Sequence, residues 1–206
     1  MITIHKVEQG SEEWKILRAD LYTGTAAEKL LQYSGSVKIV NGVASAYALT
    51  EITGFAGNFF TKRGHLLEDQ AIALYKKINR CEVMVSPEAG FVTNSKYPTC
   101  GYSPDGLRTD RTLECKAFNK EKHMKMFRGD IPLKVLAQCY FGMLICGKKI
   151  CDLIIYNPDF AKKTLPDGSV NPDYNPKYAI KIITIRHKPS IASNFKRILI
   201  PQKVSA

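Results

Sequence analysis

Between Ser11 and Gln32 the apolar residues return at helical spacing, with one interruption. Ser11, followed by Glu12, Glu13 and Trp14, reads as an N-cap entering a helix with acidic residues in its first turn, and Arg18 falls towards that helix's end. Thr23-Gly24-Thr25 breaks the pattern, and 26–31 restarts it with Thr23 or Thr25 as cap. The Ser- and Gly-rich stretch 33–42 reads as a loop. Leu67, Ala71, Leu74 and Tyr75 then place a long helix over 64–78. Segments 81–86 and 89–93 alternate on either side of Pro87-Glu88 and read as an antiparallel pair. Two further strands, 102–107 and 112–118, flank a Thr109-Asp110-Arg111 turn, and 133–145 is an unbroken amphipathic helix. The β-rich segments 151–156 and 178–187 enclose a Pro-, Asp- and Asn-rich loop, and a weak helix follows Ser190. Neither an internal repeat nor a linker interrupts this order. It predicts one domain over 1–206: an α/β sandwich with a central mixed sheet flanked by helices.

Composition narrows the class. A chain of 206 residues can bury a core without disulfides or structural metal. Its six cysteines, at 81, 100, 115, 139, 146 and 151, form no C-x-x-C pair and sit mostly in apolar segments, as reduced cytosolic thiols do. The opening MITIHKVEQG has no basic region followed by an apolar run, and no apolar stretch is long enough to span a bilayer, so no leader and no membrane partner are expected. The 30 Lys and Arg against 19 Asp and Glu leave a formal charge of +11. Such an excess suits a polyanionic partner, because each neutralised phosphate releases condensed counterions. A basic surface kept for solubility is the plainer alternative.

The chemistry concentrates in two short stretches, Ser103-Pro104-Asp105-Gly106-Leu107 and Leu113-Glu114-Cys115-Lys116. Asp105 lies where Pro104 and Gly106 constrain the backbone. Glu114 and Lys116, two apart on a strand, share one face, whereas Cys115 points to the other and can offer only its carbonyl. Carboxylates and a lysine converging in this way are costly unless a hard cation binds. Mg²⁺ suits such oxygen donors, keeps waters able to attack a phosphate, and leaves the lysine to neutralise developing charge. An isolated Glu-x-Lys pair would be an ordinary salt bridge; the Pro-Asp-Gly turn nine residues upstream makes it a candidate site.

These residues resemble the PD-(D/E)xK nuclease signature, and their context resembles the bacteriophage lambda exonuclease family, which implies a restriction-endonuclease-like α/β sandwich with the metal site at one edge of its mixed sheet. The matching pieces run in order over about residues 8–156: Gln9-Gly10, Trp14, Leu17-Arg18, Thr23-Gly24-Thr25, Gly64 with Glu68, the two stretches above, and Ala137-Gln138 before a strand ending at Tyr156. The resemblance implies that Asp105, Glu114 and the Cys115 carbonyl ligate the metal, with Glu68 lending a further carboxylate and Lys116 acting as catalytic lysine. It implies that Arg18, Thr25, Ser103 and Gln138, assisted by Thr23, hold the 5′-phosphate of a DNA end. Forked Arg donors and hydroxyls are the groups that grip such a phosphate.

The activity implied is 5′-to-3′ digestion of linear duplex DNA with Mg²⁺, or Mn²⁺, releasing 5′-mononucleotides and leaving a 3′ single strand for recombination. A homotrimer, a single-strand-annealing recombinase as partner and a location in the cytoplasm of a bacterial host are implied with it. Rival expectations are a structure-specific endonuclease of the same fold and a non-catalytic DNA-end binder. Two departures stand out: Gln138-Cys139-Tyr140 where the family often has Gln-x-Gln, and Ala117-Phe118 where Cys-Pro is common. Outside the motifs, Lys120, Lys122, His123, Lys125 and Arg128 read as a mobile basic stretch that either tracks DNA or is a solvated face. Phe59 and Phe60 are candidates to wedge or stack on bases, with core packing the plainer job for at least one of them. His65 adjoins the motif helix and is either a DNA contact or incidental, and His5, His123 and His187 show no metal-ligand spacing.

Overall fold

The computed structural model describes residues 1–27 and 66–190 and, between them, the backbone of two short strands and of the start of a long helix. The elements run β1 (Ile2–His5), α1 (Glu12–Arg18), a 3₁₀ turn (Gly24–Ala26), β2 (Ile39–Val40), β3 (Val43–Ala44), α2 (Phe59–Asn79), β4 (Phe91–Asn94), β5 (Gly101–Tyr102), β6 (Gly106–Leu107) and β7 (Thr112–Lys116). They continue with α3 (Lys120–Phe127), α4 (Leu133–Ile145), β8 (Ile150–Tyr156), two further 3₁₀ turns (Pro158–Ala161, Pro176–Tyr178) and β9 (Ile180–Arg186).

The central sheet has the order β6-β7-β8-β9, with β7 and β8 parallel and the outer pairs antiparallel. It is mixed, as expected. β8 is buried along nearly its whole length and feeds both sides by alternation: Leu153 and Ile155 enter one apolar cluster, Ile154 and Tyr156 the other. On the second side α2 lays down Leu67, Ala71, Ile72 and Tyr75 against Leu113 and Ile154. On the first side α4 is apolar almost all round, and it is buried all round from Cys139 to Ile145, because it lies between the central sheet and a second, antiparallel sheet of order β1-β4-β5. Helix, sheet, helix and small sheet make the layers.

α1 begins where its pattern predicts, with Ser11 Oγ accepting from the Trp14 amide at 3.2 Å. α4 has the bounds its apolar run predicts. Three expectations need correcting. Segments 81–86 and 89–93 do not pair with each other: β4 lies between β1 and β5, while Met84 makes only an isolated bridge to Leu107. The expected strand 102–107 is two strands in two sheets, since Tyr102 pairs with Val92 but Gly106 with Leu113. The chain changes sheets at Ser103-Pro104-Asp105, where Pro104 has no amide to donate to either ladder. The basic stretch is an ordered helix, α3, capped by Asn119, with His123 and Met126 buried and Lys125 paired with Glu121 at 2.9 Å.

α2 starts five residues before the predicted Gly64. The turn at Gly24 is 3₁₀, and the remainder of the helix predicted after it lies outside the described residues. So does most of 33–42, apart from Ile39–Val40, and so do the side chains of Phe59, Phe60 and His65 and the helix after Ser190. All six cysteines are free. No helix among the described residues is long and apolar enough to cross a membrane.

Candidate active site

β6 is only two residues long, so it pairs with Thr112 and Leu113 and leaves the Glu114–Lys116 half of β7 unpaired on that side. The chain fills this edge with a side chain. Asp105 Oδ2 accepts the Cys115 amide at 2.6 Å, which seats the carboxylate beside the strand that carries Glu114 and Lys116. Glu68 reaches the same place from α2 and shares a hydrogen bond with Asp105. Glu114, 4% exposed, has both oxygens engaged: Oε1 takes Lys116 Nζ at 2.5 Å, and Oε2 accepts the Tyr102 hydroxyl. The predicted catalytic residues Glu68, Asp105, Glu114 and Lys116 therefore meet, from a helix, a strand and a loop.

Their electrostatics are those of a site short of positive charge. Burial raises the Asp105 carboxyl well above its usual range, and Glu68 beside it adds to the rise. Burial also raises Glu68 and Glu114, with carboxylate neighbours adding to it. For Lys116, burial works downward, but the carboxylates of Glu114 and Asp105 outweigh it and the net direction is up. Three carboxylates thus face one ammonium, and the Glu68–Asp105 bond requires a proton between them. A divalent cation is what would replace that proton. The donor set fits, being hard oxygen throughout; the Cys115 thiol, raised well above its ordinary value by burial, is no thiolate and leaves only its carbonyl to offer. Among the described residues no three His, Cys, Asp or Glu side chains form a ready-made cage.

The predicted phosphate residues form a second cluster beside the first. The Arg18 guanidinium lies over the Trp14 ring, 4.0 Å from Cζ to the centroid, and Nη2 donates to Thr23 Oγ1 at 3.3 Å. Thr23 and Thr25 hydroxyls are 3.0 Å apart, and Trp14 Nε1 donates to Ser103 Oγ at 2.9 Å. Gln138, on α4, packs at the 3₁₀ turn, within 4.0 Å of where a Gly24 side chain would begin. Backbone bonds from Tyr22 to Thr99 and from Gly101 to Tyr22 stitch this turn to β5. Gln9 Nε2, bonded to the Pro104 carbonyl at 3.1 Å, steadies the loop between the clusters. Tyr140, where the family often has Gln, is buried in the core.

Two contributors were given no role at the site from sequence. Trp14 supports Arg18, and the signal was their spacing of four on one helix face. Tyr102 meets Glu114 across 12 positions, for which periodicity carries no signal.

The fold has solved counterparts. The alkaline exonuclease LHK-Exo from Laribacter hongkongensis, alone and in complex with dAMP, superposes with a TM-score of 0.67 at 20% identity, over 92% of this chain and 89% of that one. A phage related exonuclease from Haemophilus somnus 129PT gives a TM-score of 0.52 at 13% identity, over 84% and 88%. At such identities these likenesses speak to the fold alone. No curated protein matches in sequence. The carboxylate–lysine site, the fold and the family that the chain matches together define a class, the deoxyribonucleases. More narrowly, residues 13–149 match the YqaJ-like viral recombinase domain, and the chain belongs to that lambda exonuclease-like family. Nucleases of this family generally use a divalent metal.

Proposed function

We propose that the chain is a Mg²⁺-dependent exonuclease that digests linear duplex DNA from 5′ to 3′. The observation that carries this reading is the adjacency of the two clusters: Ser103 in one and Asp105 in the other are separated only by Pro104. An end-dependent enzyme needs such a pairing, with the terminal phosphate held beside the phosphate to be cut.

Asp105, Glu114, Glu68 and the Cys115 carbonyl would hold the ion. Bound there, it would polarise the scissile phosphate and supply a water acidic enough to attack at neutral pH. Lys116, kept protonated by its carboxylate neighbours, neutralises charge developing on the phosphate oxygens rather than accepting a proton. Arg18, Thr23, Thr25, Ser103 and Gln138 hold the terminal phosphate and so fix which bond is presented. Hydrolysis breaks the bond from phosphorus to the 3′-oxygen of the terminal nucleotide, which leaves with a 3′-hydroxyl. The shortened strand again ends in a 5′-phosphate for the same cluster to grip. The dAMP complex of LHK-Exo supports a mononucleotide as the product.

The opposite strand is left 3′-ended, and the family's description as a viral recombinase supports its use by a strand-annealing partner. A homotrimer around the DNA belongs to the same reading. The test is digestion in Mg²⁺ of a linear duplex with a 5′-phosphate, its 5′-hydroxyl twin and a covalently closed circle. Release of 5′-mononucleotides, fastest from the phosphorylated end and absent from the circle, is expected. Cutting of the circle, or equal rates at both ends, would overturn end recognition.

A further inference from the structure

We infer that Tyr102 is a positioning residue through which the terminal-phosphate cluster sets the carboxylate of Glu114. This rests on the phosphate-gripping role proposed above. Tyr102 is 2% exposed, and its ring fills a slot whose walls belong to the phosphate side of the site. A Cβ at Gly24 would stand 3.0 Å from Tyr102 Cε2 and 3.3 Å from Cδ2. Gly24 lies between Thr23 and Thr25. A Cβ at Gly142 would stand 2.6 Å from Cζ and 2.9 Å from the hydroxyl oxygen. Gly142 is four residues after Gln138, on the same face of α4. The two glycines leave room for this ring and for nothing larger, while Phe141 meets it edge-on with centroids 6.4 Å apart.

At the far end of the ring the hydroxyl donates to Glu114 Oε2, while Lys116 holds Oε1 at 2.5 Å. A carboxylate gripped at both oxygens cannot rotate, so its orientation follows the phenol. The phenol follows the 23–25 turn and α4. A phosphate that draws Arg18, Thr23, Thr25 and Gln138 together tightens both walls of the slot, and thereby the placement of Glu114. An unphosphorylated end leaves the slot looser.

The test is Tyr102→Phe, which keeps the ring in its slot and removes the bond to Glu114. Single-turnover rates are measured in Mg²⁺ on 5′-phosphoryl and 5′-hydroxyl duplexes, and end affinity is measured separately without divalent ion. The variant is expected to lose about tenfold or more in rate on the phosphorylated end. Its affinity for that end stays within about twofold, and its phosphoryl-to-hydroxyl rate ratio collapses. Gly24→Ala, which crowds the ring from the turn and removes no polar group, shifts the ratio in the same direction. Retention of the wild-type ratio by Tyr102→Phe, whether at full rate or with equal loss on both ends, overturns the coupling. A wild type that does not distinguish the two ends overturns instead the phosphate grip on which this inference rests.

Discussion

Truncating Arg18 to alanine removes the one charged side chain among the five residues proposed to hold the terminal phosphate, and the structure sets the scale of the loss. The guanidinium is stacked 4.0 Å from the Trp14 centroid and commits one donor to Thr23 at 3.3 Å, so it is already aimed and partly desolvated. A hydrogen bond from such a cation to a phosphate oxygen contributes about 1.5–3 kcal/mol, or roughly 10- to 150-fold in rate ratio. The side chain is half-buried, and its contact with Trp14 contributes about 0.5–1 kcal/mol, so the fold should lose little. The assay is the ratio of single-turnover rates on 5′-phosphoryl and 5′-hydroxyl duplexes, with melting temperature as the control. Arg18→Ala should lower that ratio by about one to two orders of magnitude while cleavage of the hydroxyl end persists. Arg18→Lys should recover little, because an ammonium restores charge without the planar fork. A variant that keeps the wild-type ratio, or a lysine that restores it fully, would refute the reasoning.

The remaining expectations concern the proposed metal site, the surface charge and a buried histidine. Asp105→Asn still offers an acceptor to the Cys115 amide and a donor to Glu68 but removes one of the repelling carboxylates. Cleavage should vanish while the metal-free protein melts higher, by about 1 kcal/mol of added stability; a lower melting temperature would mean that the charge serves the fold. Duplex affinity without divalent ion should fall linearly on a log–log salt plot, with a slope of about −0.9 per phosphate contacted, and a flat plot would place the +11 charge away from DNA. His123 is fully buried, donates from Nε2 to the Tyr178 carbonyl at 2.7 Å, and has no partner at Nδ1. Burial lowers its pKa from 6.5, so its contribution to stability is present above pH 6.5 and is lost as pH falls through the lower, folded value. Thermal melts across that window should be less acid-sensitive in His123→Phe, and an unchanged pH slope would show that the loss arises elsewhere.

The parts of the molecule legible in the sequence were those written in local pattern. The Ser11 cap, the bounds of α4 and the shared face of Glu114 and Lys116 follow from capping chemistry and from helix and strand periods. The parts that were not legible depend on which strand finds which partner. Alternation in 81–86 marks an extended segment but does not say that its neighbour will be Leu107. The run 102–107 looks continuous until Val92 claims one end and Leu113 the other. That split is what frees Asp105 to cap the edge of β7 and turns Tyr102 towards Glu114, so the sequence singled out the carboxylates and the lysine that the fold gathers but not the contacts that aim them.

The central claim is that Glu114, on β7, is one of the carboxylates that make this site cut DNA. Glu114→Gln tests it most directly, since the amide keeps the shape and one acceptor for Tyr102 while removing the charge that faces Lys116. Mononucleotide release from a 5′-phosphorylated linear duplex is measured over a range of Mg²⁺ concentrations, with end affinity measured alongside in its absence. The account predicts a rate about a thousandfold or more below wild type, not restored by added Mg²⁺, with end affinity retained. Near-wild-type release by Glu114→Gln would contradict it.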